Sequence, residues 1–192
     1  MEWVSGDILD VVCLDDHMKG CNCIIHAAAL VSFYPGDREK LWKVNIEGTA
    51  NVVNAALENN IPDFIHISSV GALGRTNNAE MLNEEKKGES NSRQSQYAIS
   101  KYYGEMEVWR GIAEGLDAVI VNPSIILGPN AGTDGSGALF ETVRKGLKFY
   151  TNGSMGFVDV TDVAKCMIAL MNSDIHSERF IISAENRDYK SL

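Results

Sequence analysis

Tyr97 and Lys101 lie four residues apart in a run that has the pattern of a helix start. On a helix this spacing places both side chains on one face, one turn apart. A tyrosine hydroxyl has an ordinary pKa of about 10, and a neighbouring ammonium group favours the phenolate and lowers that pKa. The pair is therefore suited to moving a proton in a carbonyl/alcohol interconversion. Chance places Tyr and Lys at this spacing in about one of three such chains, so the pair alone is better explained as surface chemistry.

Two predicted strands end on residues that would let a ligand approach the backbone. The segment Cys23–Ala29 is predicted to be a buried strand that ends in three alanines. The segment Phe64–Ser69 is predicted to be another and ends on two hydroxyls. In open α/β sheets ligands bind at the carboxyl ends of the strands, where small residues leave room for them. Simple helix–strand packing is the alternative explanation for the alanines.

Hydrophobic periodicity predicts the elements that would hold these residues. Helices are predicted at 10–17, 39–59, 97–114, 138–145 and from 161 to about 171, the last capped by Thr161 or Asp162. Strands are predicted near 2–6, 118–122, 149–150, 157–159 and 179–183, besides the two above. This alternation predicts an α/β fold with a parallel, doubly wound sheet. Asn45 lies inside the second helix, where Asn is a poor helix former and usually faces solvent.

Composition narrows the class of protein. At 192 residues and 45% hydrophobic, the chain can form one domain over residues 1–192. A net charge of -9 argues against nucleic-acid and anionic-membrane partners. The four cysteines lack zinc-pair spacing, so no metal site is expected. The sequence has no signal-peptide pattern and no membrane-spanning apolar run, which makes the cytoplasm the expected compartment.

Five short motifs occur in a fixed order along the chain: His26-Ala-Ala-Ala29, Asn45, Ser68-Ser69, Tyr97-x-x-x-Lys101 and Asn122-Pro123-Ser124. In this order and at these separations they resemble the extended short-chain dehydrogenase/reductase family, and within it the NAD(P)-dependent epimerase/dehydratase type. The segment Phe157–Ala164 is similar to one that these proteins carry before a late helix. The resemblance covers nearly the whole chain. It implies a Rossmann-like sheet that binds NAD or NADP.

The resemblance also implies a role for each of four residues. Tyr97 would be the general acid/base that exchanges a proton with the substrate oxygen, and Lys101 would lower its pKa and bind the nicotinamide ribose. Ser69 would hold and polarise the substrate carbonyl. We favour Ser69 over Ser68 because one of two adjacent strand side chains must point away. Asn45 would link Lys101 to solvent through a water molecule.

Further residues would bind the cofactor if the family pattern holds. An acidic turn at Asp7 and Ile8 would contact the adenine, and the loop after the first complete strand would flank the cofactor. Pro123 and Ser124 would lie beside its carboxamide end. For His26 a structural role is favoured over a catalytic one. The expected cofactor-binding residues are Asp7, Ile8, His26, Ala27, Ala28, Ala29, Tyr97, Lys101, Pro123 and Ser124.

The two ends of the chain depart from the family pattern. The glycine-rich turn of a dinucleotide-binding fold is absent from the sequence. At 30 or more residues per βαβ unit, the family pattern leads us to expect that about 60 residues are missing before Met1. The sheet is therefore expected to lack the first βαβ unit, with a gap between the strand ending at Gly6 and the strand at Ile24. Phosphate-binding residues cannot be assigned, and the choice between NAD and NADP stays open. Family members also continue beyond Leu192.

The residues after Ser69 bear on the substrate. Dehydratases of this family place Thr-Asp/Glu there, whereas this chain has Val70-Gly71-Ala72, so the pattern is nearer to dihydroflavonol-reductase-like members. These interconvert a carbonyl and a secondary alcohol of a small molecule, with substrate-side loops expected near 75–95 and 128–157. A nucleotide-sugar epimerase is the enzymatic alternative, and a non-catalytic cofactor-binding module or an inert fragment is the other. The helices at 39–59 and 97–114 are those with which related proteins form homodimers.

Overall fold

The computed structural model of the protein describes residues 2–74, 81–86, 88, 94–129, 136–146 and 153–191. Its helices are α1 (Val11–Met18), α2 (Arg38–Trp42), α3 (Gly48–Glu58), α4 (Gln96–Ala113), α5 (Ser136–Arg144) and α6 (Val160–Met171). Its strands are β1 (Cys23–His26), β2 (Asp63–Ile67), β3 (Ala118–Pro123), β4 (Ile125–Leu127), β5 (Ser154–Asp159), β6 (Arg179–Ile182) and β7 (Glu185–Asp188). Within these ranges no helix combines the length and the apolar character needed to cross a bilayer.

The main sheet has the strand order β1-β2-β3-β6, and every neighbouring pair is parallel. Because all four strands run the same way, their carboxyl ends meet at one edge. Ile25 pairs with Ile65 between β1 and β2, and His66 pairs with Ile120 between β2 and β3. The predicted α/β fold with a Rossmann-like parallel sheet is confirmed.

Helices cover both faces of this sheet, as a doubly wound fold requires. On one face Phe64 and Ile120 pack with α3 and α4 residues such as Val53 and Val108, and α1 packs at the margin. On the other face Ile65 and Val121 pack with residues of α6 that include Val163, Cys166, Met167 and Leu170. Alternate residues of β2 and β3 thus point to opposite cores, which explains why both strands are continuous apolar runs.

A second sheet, with the order β4-β5-β7, was not predicted. β4 and β5 are parallel, whereas β5 and β7 are antiparallel. All four residues of β7 are exposed, from Glu185 to Asp188, so this strand has neither the apolar run nor the alternation that predicts a strand. β7 forms because the backbone of β5 is available for pairing. The strand predicted at 149–150 lies outside the described residues.

The beginning of the chain differs from the prediction. Residues 2–6 form no strand, because among the described residues no strand pairs with them. β1 lies at the edge of the main sheet and ends at His26, three residues earlier than predicted. Ile25 is 45% exposed on this open edge, and Trp3 is 89% exposed. Among the described residues no strand covers this edge of β1.

The long helix predicted at 39–59 is present, but it is not regular. A turn of π-helix, Lys43–Glu47, joins α2 to α3. Gly104 of α4 packs directly on this turn, since a Cβ atom there would collide with the carbonyl oxygen of Asn45. At α6 the cap is Asp159, whose carboxylate accepts from the Thr161 amide, so Thr161 and Asp162 lie inside the first turn instead of capping it.

Candidate active site

The start of α4 brings Tyr97 to the carboxyl edge of the main sheet. Ser95 caps the helix by accepting a hydrogen bond from the Ala98 amide at 3.1 Å. The Tyr97 ring meets the Phe33 ring edge-on, with 5.7 Å between the ring centroids. The Ser69 side chain lies close enough to the Tyr97 hydroxyl to influence its pKa. Burial raises the pKa of Tyr97, and Ser69 offsets part of that rise.

The two adjacent serines after β2 point in different directions. Ser69 accepts a hydrogen bond from the Gly71 amide at 3.1 Å and faces Tyr97, where it caps the 3-10 turn Val70–Leu73. Ser68 is buried and donates to Oε2 of Glu105 at 2.6 Å. Of the two hydroxyls, the structure therefore brings that of Ser69 to the Tyr97 hydroxyl.

Lys101 lies one turn after Tyr97 and is 4% exposed. Its Nζ donates to the carbonyl oxygen of Ile67, the last residue of β2, at 2.8 Å. Burial lowers the pKa of Lys101 to about 8, and the negative charge of Glu105 acts in the opposite direction. The pKa of the Tyr97 hydroxyl is raised by burial and lowered by Ser69. A lowering of the Tyr97 pKa by Lys101 stays a prediction.

Asn45 is buried in the π turn, so the solvent-facing alternative is wrong. Its Oδ1 accepts from the Leu30 amide at 2.7 Å, and its Nδ2 donates to the Leu30 carbonyl at 2.9 Å and to Ser100 Oγ at 2.8 Å. Asn45 thus ties the loop after β1 to α4. The water link from Asn45 to Lys101 stays a prediction.

The residues expected to flank a cofactor lie mostly at the same edge. Ala27, Ala28 and Ala29 are exposed directly after β1. Pro123 and Ser124 are buried at the end of β3, and Ser124 Oγ has no hydrogen-bond partner among the described residues. Exposed small residues after β1, together with an unsatisfied buried hydroxyl after β3, fit a ligand with a polar, planar group such as a nicotinamide.

His26 and the turn at Asp7 have local roles in the structure. His26 Nε2 lies 3.0 Å from Thr49 Oγ1, and burial together with the charge of Lys101 lowers the pKa of His26 to about 4. Asp7 is exposed and accepts from the Leu9 amide at 2.9 Å. Ile8 packs on the start of α3, where a side chain at Gly48 would collide with it. An adenine contact by Asp7 and Ile8 stays a prediction.

Sequence reasoning missed a buried carboxylate behind the site. Glu105 is 1% exposed and is paired with Arg179 of β6. It also accepts from Trp109 Nε1 at 3.2 Å and from Asn122 Nδ2 at 2.8 Å, besides Ser68. Its position four residues after Lys101 placed it on the same helix face. No local pattern indicates Arg179, which is 74 residues away in sequence.

Comparisons with known proteins show the family to which the chain belongs. The NAD dependent epimerase/dehydratase family matches residues 1–183. A Synechocystis sp. protein named "Putative dihydroflavonol 4-reductase" is 32% identical over 166 residues, which are 85% of this chain and 48% of that protein. The chain therefore spans about half the length of this curated relative.

Two solved structures share the fold over nearly the whole chain. The crystal structure of gox2253 is 31% identical with a TM-score of 0.87, covering 97% of this chain and 57% of the other. The Bordetella bronchiseptica enzyme WbmH, solved in complex with NAD+, is 25% identical with a TM-score of 0.81, covering 98% and 62%. With the family matched over residues 1–183, this chain belongs to the NAD dependent epimerase/dehydratase family of extended short-chain dehydrogenases/reductases.

Proposed function

We propose that the protein containing this chain is an NAD(P)-dependent oxidoreductase that interconverts a carbonyl and a secondary alcohol. The observation that carries the proposal is the proximity of Ser69 to the Tyr97 hydroxyl, with the buried ammonium of Lys101 one turn further along α4. An acid/base hydroxyl, a second hydroxyl for the substrate oxygen and a cation are the groups that this chemistry requires. The family and the relative named as a reductase support the same reaction class.

In the reduction direction, the Tyr97 hydroxyl gives its proton to the substrate carbonyl oxygen. Ser69 donates to that oxygen as negative charge develops on it. Lys101, which is protonated at pH 7, stabilises the phenolate that is left on Tyr97. When bound, NAD(P) supplies the hydride in reduction and accepts it in oxidation. The residues proposed to hold the cofactor are Ala27, Ala28 and Ala29 after β1, and Pro123 and Ser124 after β3.

Replacing Tyr97 with Phe tests the proposal. Parent and variant would be supplied with NADH or NADPH and a panel of aryl aldehydes and ketones, and cofactor oxidation would be followed at 340 nm. We expect Tyr97→Phe to lower kcat by roughly 10²- to 10⁴-fold, because a positioned general acid contributes about that much. Cofactor affinity, measured by calorimetric titration, should stay within a few-fold. Tyr102→Phe, one turn further along the same helix, is the matched control and should leave kcat unchanged.

Three outcomes would each contradict part of this proposal. Equal turnover by parent and Tyr97→Phe would remove Tyr97 from the chemistry. Cofactor binding without turnover of any substrate would favour the non-catalytic binding module. No cofactor binding by a folded sample would favour the inert fragment, and the proposed roles would then apply only to a longer protein.

A nucleotide-sugar epimerase is the second proposed activity. The observation that favours it is the family itself, whose members include epimerases by its description. Tyr97, as the phenolate, would then accept a proton from a sugar hydroxyl and later return it. Incubation with a UDP-hexose and NAD, followed by NMR analysis of the sugar, distinguishes the two activities, because an epimerase changes the sugar without net change in the cofactor.

We also propose a homodimer formed through α3 and α4. These helices lie side by side and are linked at their surface by Arg110, whose Nη2 donates to Asn54 Oδ1 at 2.8 Å. Light scattering at micromolar concentration would give twice the 21.0 kDa mass of the chain if the dimer forms. A variant that introduces a negative charge on this surface, Asn54→Glu, should then scatter as a monomer.

A further inference from the structure

The buried Glu105 carboxylate has four hydrogen-bond donors. They are the hydroxyl of Ser68, the amide of Asn122, the indole of Trp109 and the guanidinium of Arg179. A carboxylate has about four lone-pair sites, so Glu105 is saturated. Arg179 Nη1 also donates to the carbonyl of Lys86 at 3.0 Å, and its guanidinium lies 5.5 Å from the Trp109 ring. Glu105 therefore joins α4 to the carboxyl ends of β2 and β3 and to the first residue of β6.

These contacts fix the backbone on which Ser69 is carried. Ser68, its neighbour in the chain, is held by Glu105 at 2.6 Å. Asn122 Nδ2 is shared between Glu105 Oε2 at 2.8 Å and the carbonyl oxygen of Ser69 at 3.0 Å. Both the residue before Ser69 and its own backbone are thus fixed to one carboxylate. The direction of the Ser69 hydroxyl depends on both.

Glu105 is also the negative charge beside Lys101. The two residues are one turn apart on the same face of α4, and both are buried. Lys101 also acts on His26 of β1 and His66 of β2, and Tyr97 lies one turn before it on α4. Burial keeps both imidazoles uncharged at neutral pH. Glu105 therefore supplies the anionic field that favours the charged form of Lys101.

Stability alone does not explain a buried ion pair at this position. Replacing buried ion pairs with apolar residues of similar volume is often neutral or stabilising, because desolvation of two charges offsets their attraction. Resting on the function proposed above, we propose that Glu105 is a positioning residue: it fixes the Ser69 hydroxyl at the end of β2 and holds the Lys101 ammonium in its charged form. Arg179 balances the charge of Glu105 and extends the network to Lys86.

The test measures both effects without requiring turnover. NMR of the full chain with ¹³Cε-labelled lysine would follow the titration of Lys101, assigned by its loss in Lys101→Met. In Glu105→Gln we expect the Lys101 midpoint to fall by about one pH unit or more, since a charge one turn away is removed. In Arg179→Met the midpoint should rise, because Glu105 loses its partner. Opposite shifts are not produced by a general loosening of the fold.

Hydrogen exchange reports on Ser69. The Gly71 amide donates to Ser69 Oγ, so its exchange should accelerate about tenfold in Glu105→Gln relative to the Ile120 amide in the core of β3. Glu107→Gln is the matched control: it makes the same chemical change on the partly exposed side of α4 and should alter neither readout.

The outcomes separate this proposal from the proposed function. An unchanged Lys101 midpoint in both folded variants, or equal acceleration of the Gly71 and Ile120 amides, would overturn the positioning role even if the protein is an active reductase. If Glu105→Gln fails to fold, a rise of the midpoint in Arg179→Met still supports the role, and no rise overturns it. Inactivity of the parent protein would contradict the function but leave both readouts measurable.

Discussion

Helix α4 carries similar ionic pairs on its two sides, with different consequences. On its outer side Arg110 pairs with Glu107 at 2.8 Å and with Glu114 at 2.6 Å, and all three side chains are about a third or more exposed. On its inner side Glu105 is paired with Arg179 of β6, and these side chains are 1% and 9% exposed. The outer pairs are local along the helix, whereas the inner pair joins two elements.

Exposure decides how much each pair contributes. Water and salt screen the outer pairs, so such contacts contribute about 1 kcal/mol or less to the free energy of unfolding. The inner charges are buried away from water. Replacing either residue leaves the other charge unpaired in a low-dielectric interior. The inner side of α4 is therefore sensitive to single substitutions, and it is also the side that presents Tyr97 and Lys101.

The largest expected effect comes from removing the inner carboxylate. Glu105→Ala should lower the free energy of unfolding by about 3–5 kcal/mol, because Arg179 is left as an uncompensated buried charge. Glu107→Ala, on the outer side of the same helix, should cost about 1 kcal/mol or less. Urea denaturation of both variants measures the difference. Equal losses would show that the two sides of α4 do not differ as described.

Acidification should lower the free energy of unfolding, because buried imidazoles lie next to the inner side of α4. The folded-state pKa of His26 is lowered to about 4, below its unfolded value, so the unfolded chain binds the proton between these pH values. Stability contributed by neutral His26 is present above about pH 6.5 and is lost as the pH falls towards 4, by about 3 kcal/mol. His66, which is fully buried, adds a loss in the same direction.

Urea denaturation of the parent and of His26→Gln between pH 7 and 4.5 measures this contribution. The variant should lose less stability on acidification than the parent does. His17→Gln, on the surface of α1, serves as the control and should follow the parent curve. A parent curve that is flat over this pH range would contradict the buried, neutral state of His26.

At alkaline pH, the titration of Lys101 should change the free energy of unfolding. Its folded-state pKa of about 8 lies below the unfolded value, so the unfolded chain binds more protons between these values and stability rises with pH. From pH 8 to 9.5 the rise should be about 2 kcal/mol in the parent and absent in Lys101→Met. Lys165→Met, at an exposed ion pair on α6, should retain the rise.

The smallest effect is expected on the outer side of α4. Arg110→Gln removes both outer ion pairs, and we expect it to cost about 0.5 kcal/mol at low ionic strength and less at 1 M salt. Thermal unfolding at two salt concentrations measures this. If the free energy of unfolding fell by several kcal/mol and salt did not reduce this loss, Arg110 would contribute as a buried charge such as Glu105 does, and the two sides of α4 would not differ.

Much of the fold and part of the site could be predicted from local patterns. The apolar runs at 64–67 and 118–121 indicated strands buried on both faces, and the Tyr97–Lys101 spacing indicated one helix face. β7 could not be predicted, because its exposed polar residues become a strand only when β5 offers a backbone partner. The strand expected at 2–6 is absent among the described residues for the converse reason, since nothing pairs with it.

The sequence by itself determined the α/β order of elements and the i, i+4 placement of Tyr97, Lys101 and Glu105, because these follow from periodicity and spacing along one chain segment. Its five ordered motifs also carried the resemblance to the family. Only the tertiary structure decided that Ser69 faces Tyr97 while Ser68 faces Glu105, and that Arg179 balances that carboxylate. Contacts between distant segments depend on how strands and helices pack, and burial, which gives these charges their strength, is a property of that packing alone.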